Sequence, residues 1–70
     1  MIKVLDIHWN FRSNQVTIFC RTKDRTLFDI KMFAKTPRGI DNFLSRNFGL
    51  QINETFENGK DRRYTVKPKK

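Results

Sequence analysis

Two adjoining runs of apolar–polar alternation, Ile2 to Arg12 and Gln15 to Lys23, constrain this chain more than any other feature. Period-two alternation sends successive side chains to opposite faces, so each run reads as a half-buried strand. In the first, Leu5, Ile7, Trp9 and Phe11 share one face, and Asp6, His8, Asn10 and Arg12 the other. In the second, Val16, Ile18 and Cys20 oppose Thr17, Phe19, Arg21 and Lys23. Ser13 and Asn14 between them are turn formers. A two-residue loop there sets Phe11 opposite Val16, Trp9 opposite Ile18 and Ile7 opposite Cys20, apolar on apolar throughout. A one-residue slip would turn that core outward.

The next break is Lys23-Asp24-Arg25, and the run from Thr26 to Phe33 carries Phe28, Ile30 and Met32 on its inward face. A three-residue loop pairs Cys20 with Phe28, Ile18 with Ile30 and Val16 with Met32, completing an antiparallel meander with Gln15–Lys23 in the middle. Its apolar face needs a cover, and one helix supplies it. Thr36 stands at the N-cap with Pro37 at the first helical position. Ile40, Phe43, Leu44 and Phe48 recur at helical spacing, and Gly49 sits where a left-handed C′ residue is wanted. Arg38, Asp41, Asn42, Ser45 and Arg46 take the helix's polar side.

After the helix, Leu50, Ile52 and Phe56 alternate with Gln51, Asn53 and Thr55 as a fourth strand, and the turn at Asn58-Gly59 leads into a fifth that Pro68 ends. A three-residue loop of Glu57, Asn58 and Gly59 pairs Ile52 with Tyr64 and Leu50 with Val66, while a two-residue Asn-Gly loop mixes the faces. The expected fold class is α+β in the order β-β-β-α-β-β, a three-strand meander packed on one helix and followed by a C-terminal β-hairpin. Residues 1–70 form a single domain whose basic end, residues 67–70, is expected to fray. The pattern leaves open whether the hairpin extends the meander or packs on it as a separate ribbon.

At 70 residues, a chain buries only about 60% of its unfolded surface, so stability is thin. Cys20 is the only cysteine and His8 the only histidine, which exclude an internal disulfide and a Cys/His zinc set. No cofactor or phosphate-loop motif is present, no run is long enough to span a membrane, and Met1 to Arg12 resembles no signal peptide; a cytoplasmic protein is expected. Fifteen basic residues against seven acidic ones give a net charge of +8. Six of those fifteen, Lys60, Arg62, Arg63, Lys67, Lys69 and Lys70, fall in the last eleven residues beside one acid, Asp61. Such an excess attracts polyanions, nucleic acid first and an acidic protein surface second.

Two surfaces are candidates for that contact. On the outer face of the meander, the expected pairing sets Asn10, Thr17 and Lys31 in one cross-strand row and His8, Phe19 and Asp29 in the next, with Arg12 and Arg21 nearby. An aromatic ring among cations and amides suits single-stranded nucleic acid: bases stack for about 1–3 kcal/mol each while cations hold phosphates. The opposing expectation is that the last hairpin or a partner subunit covers Phe19, Leu27 and Phe33 as a second small core. The second surface is the basic hairpin, Lys60, Arg62, Arg63, Lys67, Lys69 and Lys70, lying along a phosphate backbone. Its bland reading is a charged edge strand that resists aggregation.

The expected function is a small non-enzymatic protein that binds RNA or single-stranded DNA as a monomer or weak dimer. The helix, with Arg38 and Arg46 as its exposed cations, is a poor recognition helix for duplex DNA. The alternative is an inhibitor or regulator docking on an acidic partner protein. A third is a small nuclease with His8 as general acid or base and Arg21 on a phosphate; the bland reading of His8 is an exposed strand histidine. Cys20 reads as core. The run L-D-I-H-W followed by V-T-I-F-C-R-T-K-D resembles the opening strands of family B DNA polymerases. It covers under half of the chain, contains none of that family's catalytic motifs, and implies no residue roles.

Overall fold

The computed structural model describes residues 2–69. Five strands and one helix follow the expected order: β1 (Lys3–Asn10), β2 (Gln15–Arg21), β3 (Leu27–Phe33), α1 (Pro37–Phe48), β4 (Leu50–Asn58) and β5 (Asp61–Pro68). All five strands form one antiparallel sheet in the order β3-β2-β1-β5-β4. The last hairpin therefore extends the meander edge to edge by docking β5 on β1, and the edges are β3 and β4. Because β3 and β4 run in the same direction at opposite edges, α1 spans one face of the sheet to join them. Among the described residues, no helix is long and apolar enough to cross a membrane.

The core lies between that face and the helix. Ile7, Val16, Ile18, Ile40 and Leu44 have no exposed surface, and Cys20 and Tyr64 have almost none. Each fully buried aliphatic side chain is worth about 1.5–3 kcal/mol of transfer free energy. Trp9 joins them and donates from Nε1 to the Ala34 carbonyl at 3.0 Å, tying β1 to the segment that leads into the helix. Gly49 closes α1 in the left-handed region (φ 65) and donates to the Leu44 and Ser45 carbonyls. Thr36 occupies the N-cap with extended backbone and makes no side-chain cap bond.

Face parity holds in β2 and β3, and their register is the expected one, with Ile18 opposite Ile30 and Cys20 opposite Phe28. The other registers depart from expectation. The β1–β2 turn takes four residues, Phe11 to Asn14, so Trp9 faces Val16 and Ile7 faces Ile18. Asn14 turns it in the left-handed region (φ 60), which asparagine tolerates better than most residues. The longer turn moves each partner by two, and a shift of two keeps every side chain on its face.

A bulge between Val4 and Asp6 then changes the face: Val4 points inward opposite Cys20, while Leu5, expected in the core, is 44% exposed. In the second hairpin the loop is Gly59-Lys60, with Gly59 left-handed (φ 63), and Asn58 faces Asp61. A second bulge, between Ile52 and Thr55, keeps Ile52 opposite Val66 but turns Phe56 to the outer face, 49% exposed. Tyr64, expected opposite Ile52 and partly buried, instead faces Ile7 and Thr55 and is core. Toward the C-terminus Lys67 and Pro68 pair with Gln51 and Leu50, and Lys69 donates from N–H to the Gly49 carbonyl at 2.9 Å; Lys70 lies outside the described residues.

Candidate nucleic-acid interface

With the helix on one face and β5 beside β1, the other face of the sheet is uncovered. A single row crosses all five strands on it: Lys31, Thr17, His8, Arg63 and Phe56. The neighbouring row is Asp29, Phe19 and Asp6. His8, expected opposite Phe19, faces Thr17 instead and meets Phe19 diagonally, the two rings packing edge to face at 5.0 Å. Phe19 keeps 38% of its surface exposed, and Phe33 and Leu27 at the β3 edge keep 72% and 69%. Phe19, Leu5 and Leu27 line a shallow groove of about 340 Å³, with Asp29 at its border.

Charge on this face is more balanced than the expected picture of a ring among cations. Asp6 Oδ2 accepts from Arg63 Nη2 at 2.9 Å and lies 3.2 Å from His8 Nε2. Lys31 Nζ reaches Asp29 at 3.4 Å. Carboxylates therefore flank Phe19 on both neighbouring strands, each tied to a cation that remains half exposed. Such a centre receives bases better than phosphates: rings stack, and carboxylates accept from exocyclic amines. Phosphates are better served at the two ends of the sheet, where the remaining cations lie.

The other residues proposed from sequence divide by location. Arg21 borders the end of the face opposite Lys3, and Lys67 lies at that same end. Arg12 sits in the β1–β2 turn and Lys60 in the β4–β5 turn, at the other end, both exposed. Arg62 lies on the helix side. Its guanidinium is held by Glu57 and covers Trp9 at 5.3 Å and Phe11 at 4.9 Å, so it is engaged within the fold. The hydroxyl of Tyr64 and the Glu57 carboxylate hold its protonated form even more firmly than usual. Lys69 donates from Nζ to Ser45 Oγ at 2.7 Å, and Lys70 lies outside the described residues.

Phe56 was missed because the parity of β4 put it inward. Glu54 carries the signal that could have found it. Unbroken alternation through Leu50 and Ile52 would aim that glutamate at the core, so a bulge was needed before Phe56. Cys20 is buried, which raises its thiol above the ordinary value, with Asp29 adding to the effect. Among the described residues no group of three His, Cys, Asp or Glu side chains is placed to hold a metal. Comparison with protein-family models, with curated proteins and with solved structures finds no match to this chain.

Proposed function

We propose that this protein binds single-stranded nucleic acid, RNA or DNA, on the uncovered face of its sheet, without catalysis and in the cytoplasm. The observation that carries the reading is the row Lys31, Thr17, His8, Arg63 and Phe56, beside an exposed Phe19 on a sheet whose helix α1 lies on the other side. Bases stack on Phe19, His8 and Phe56, with Arg63 and Lys31 beside them, and phosphates run to Arg21 at one end of the sheet and to the turn cations Arg12 and Lys60 at the other. With no groove-reading helix and few buried donors on the face, recognition is tolerant of sequence.

Fluorescence anisotropy with a labelled oligo(U) or oligo(dT) tests this. Affinity falls as salt rises, with a slope set by the number of phosphates neutralised. Phe19→Ala weakens binding by about 1–3 kcal/mol while the thermal midpoint stays close to that of the parent. A large loss of stability in Phe19→Ala, or binding indifferent to salt, would sink the reading. Capture of an acidic protein together with no oligonucleotide binding would favour the docking-regulator alternative.

A further inference from the structure

The seam between β1 and β5 closes only at one end. Pairing runs from Asn10↔Asp61 to Ile7↔Tyr64, and beyond it the two strands part. The bulge at Val4/Asp6 falls on β1, which borders the parting, and the one at Ile52/Thr55 falls on β4, the strand paired with β5 on its other side. The gap is a half-open cleft of about 590 Å³, within the range of small-molecule sites. Its floor is apolar: Val4, Phe48, Leu50 and Val66. Its rim is not. Lys3, Arg21, Lys23, Arg25 and Lys67 line it, and no carboxylate does among the described residues. None of the five joins an ion pair within 4.0 Å among those residues.

Such a concentration of like charge is costly, and one rim residue carries a further cost. Arg25 holds a left-handed backbone (φ 70), where a glycine would sit without strain. The β2–β3 loop thus spends conformational energy to place a cation at the cleft. A monocarboxylate would leave most of five cations uncompensated, whereas a phosphate chain answers them. The broad apolar floor, with the Phe48 ring in it, suits a flat group better than an acyl chain, which needs an enclosed tunnel. Thr22, the one hydroxyl on the lining, is already bonded to Asp24 and Thr26, so little is left to read a base edge.

We propose that this cleft binds a nucleoside phosphate, its base on the apolar floor and its phosphates among the rim cations, either as a free nucleotide or as the phosphorylated end of a strand. The site shares Arg21 with the phosphate path of the Phe19 face but lies at its own cleft, and it does not rest on the reading of that face. Its ligand has an ordinary source in each case, and the experiment separates them.

The test titrates the full chain with ATP, CTP and inorganic triphosphate by calorimetry, with amide shifts mapping the location. ATP and CTP bind within about threefold of each other, and inorganic triphosphate, lacking a ring to bury, binds about tenfold more weakly. Shifts concentrate at Val4, Arg25, Val66 and Lys67. Arg25→Gly weakens ATP at least about fivefold and leaves the thermal midpoint unchanged or raised, since it removes charge and strain together. In parallel, a 5′-phosphorylated oligonucleotide is compared with its 5′-hydroxyl form: a gain of about threefold or more assigns the site to strand ends, and ATP binding without that gain assigns it to free nucleotide. Equal binding of ATP and triphosphate, shifts elsewhere, or an unaffected Arg25→Gly overturns the proposal. Circular single-stranded DNA, which has no ends, reports on the Phe19 face alone, so failure at one site is distinguishable from failure at the other.

Discussion

The two ends of the β1–β5 seam use the same ingredients to opposite effect. At the closed end Arg62 lies over Trp9 and Phe11, and Glu57 neutralises it. At the open end Lys3, Arg21, Lys23, Arg25 and Lys67 border Val4, Phe48, Leu50 and Val66 without a carboxylate on the lining. Cations against apolar side chains are a structural clamp where an acid and a paired backbone complete them. Where neither is supplied, they rim an open cleft. Basic residues in this chain therefore cannot be ranked as ligands by charge alone: Arg62 is engaged within the fold, while Arg63, one residue on, faces the open side.

The contrast can be broken most severely at the closed end. Trp9→Ala removes a buried ring and its bond to the Ala34 carbonyl, and a loss of about 3–5 kcal/mol is expected in chemical denaturation; a loss below about 1 kcal/mol would show that the closed end is no clamp. The open end has its own brace. Asp41 Oδ1 accepts from the Ile52 N–H at 2.9 Å, tying the helix to β4 beside its bulge. Asp41→Ala should cost about 1.5–3 kcal/mol and Asp41→Asn, which keeps an acceptor, clearly less. Equal losses in the two would mean that the bond does not hold that end.

Smaller effects sharpen the contrast between neighbouring arginines. Arg62→Ala should lower the thermal midpoint and leave oligonucleotide affinity nearly intact. Arg63→Ala, half exposed, should change stability by less than about 0.5 kcal/mol yet weaken binding. The reverse pattern would exchange their roles. The smallest effect concerns Asp24, whose carboxyl is held below its ordinary value first by the Thr22 hydroxyl and then by Thr26. A depressed value stabilises the folded loop above the unfolded-state value and loses that contribution as pH falls through the folded one. Amide exchange in the β2–β3 loop should rise below about pH 4 in the parent and be insensitive there in Asp24→Asn.

Much of this was legible in the chain. The five strands, the helix from Pro37 to Phe48 with Gly49 after it, the inward set Val16, Ile18 and Cys20, and the opposite faces of Arg62 and Arg63 follow from periodicity and end signals. The site was legible in part. Phe19, Lys31 and Arg63 fall on the uncovered face as parity requires, but their neighbours differ because the β1–β2 turn is two residues longer than the shortest one. Leu5 and Phe56 came out on the wrong face because alternation was carried through two bulges. Val4 and Glu54, each apolar or charged on the parity that contradicts unbroken alternation, were the marks of those bulges.

The sequence by itself determined which residues form each element and, strand by strand, which face they take, because side-chain direction depends on the local backbone and the burial of nearby apolar groups. Only the tertiary structure decided that β5 docks on β1, that the Phe19 face therefore stays bare, and that the seam parts at one end into a cation-rimmed cleft. Those outcomes depend on pairing between segments some fifty residues apart. An edge strand's backbone donors and acceptors accept any partner strand of suitable length and twist, so no local pattern names the one that arrives.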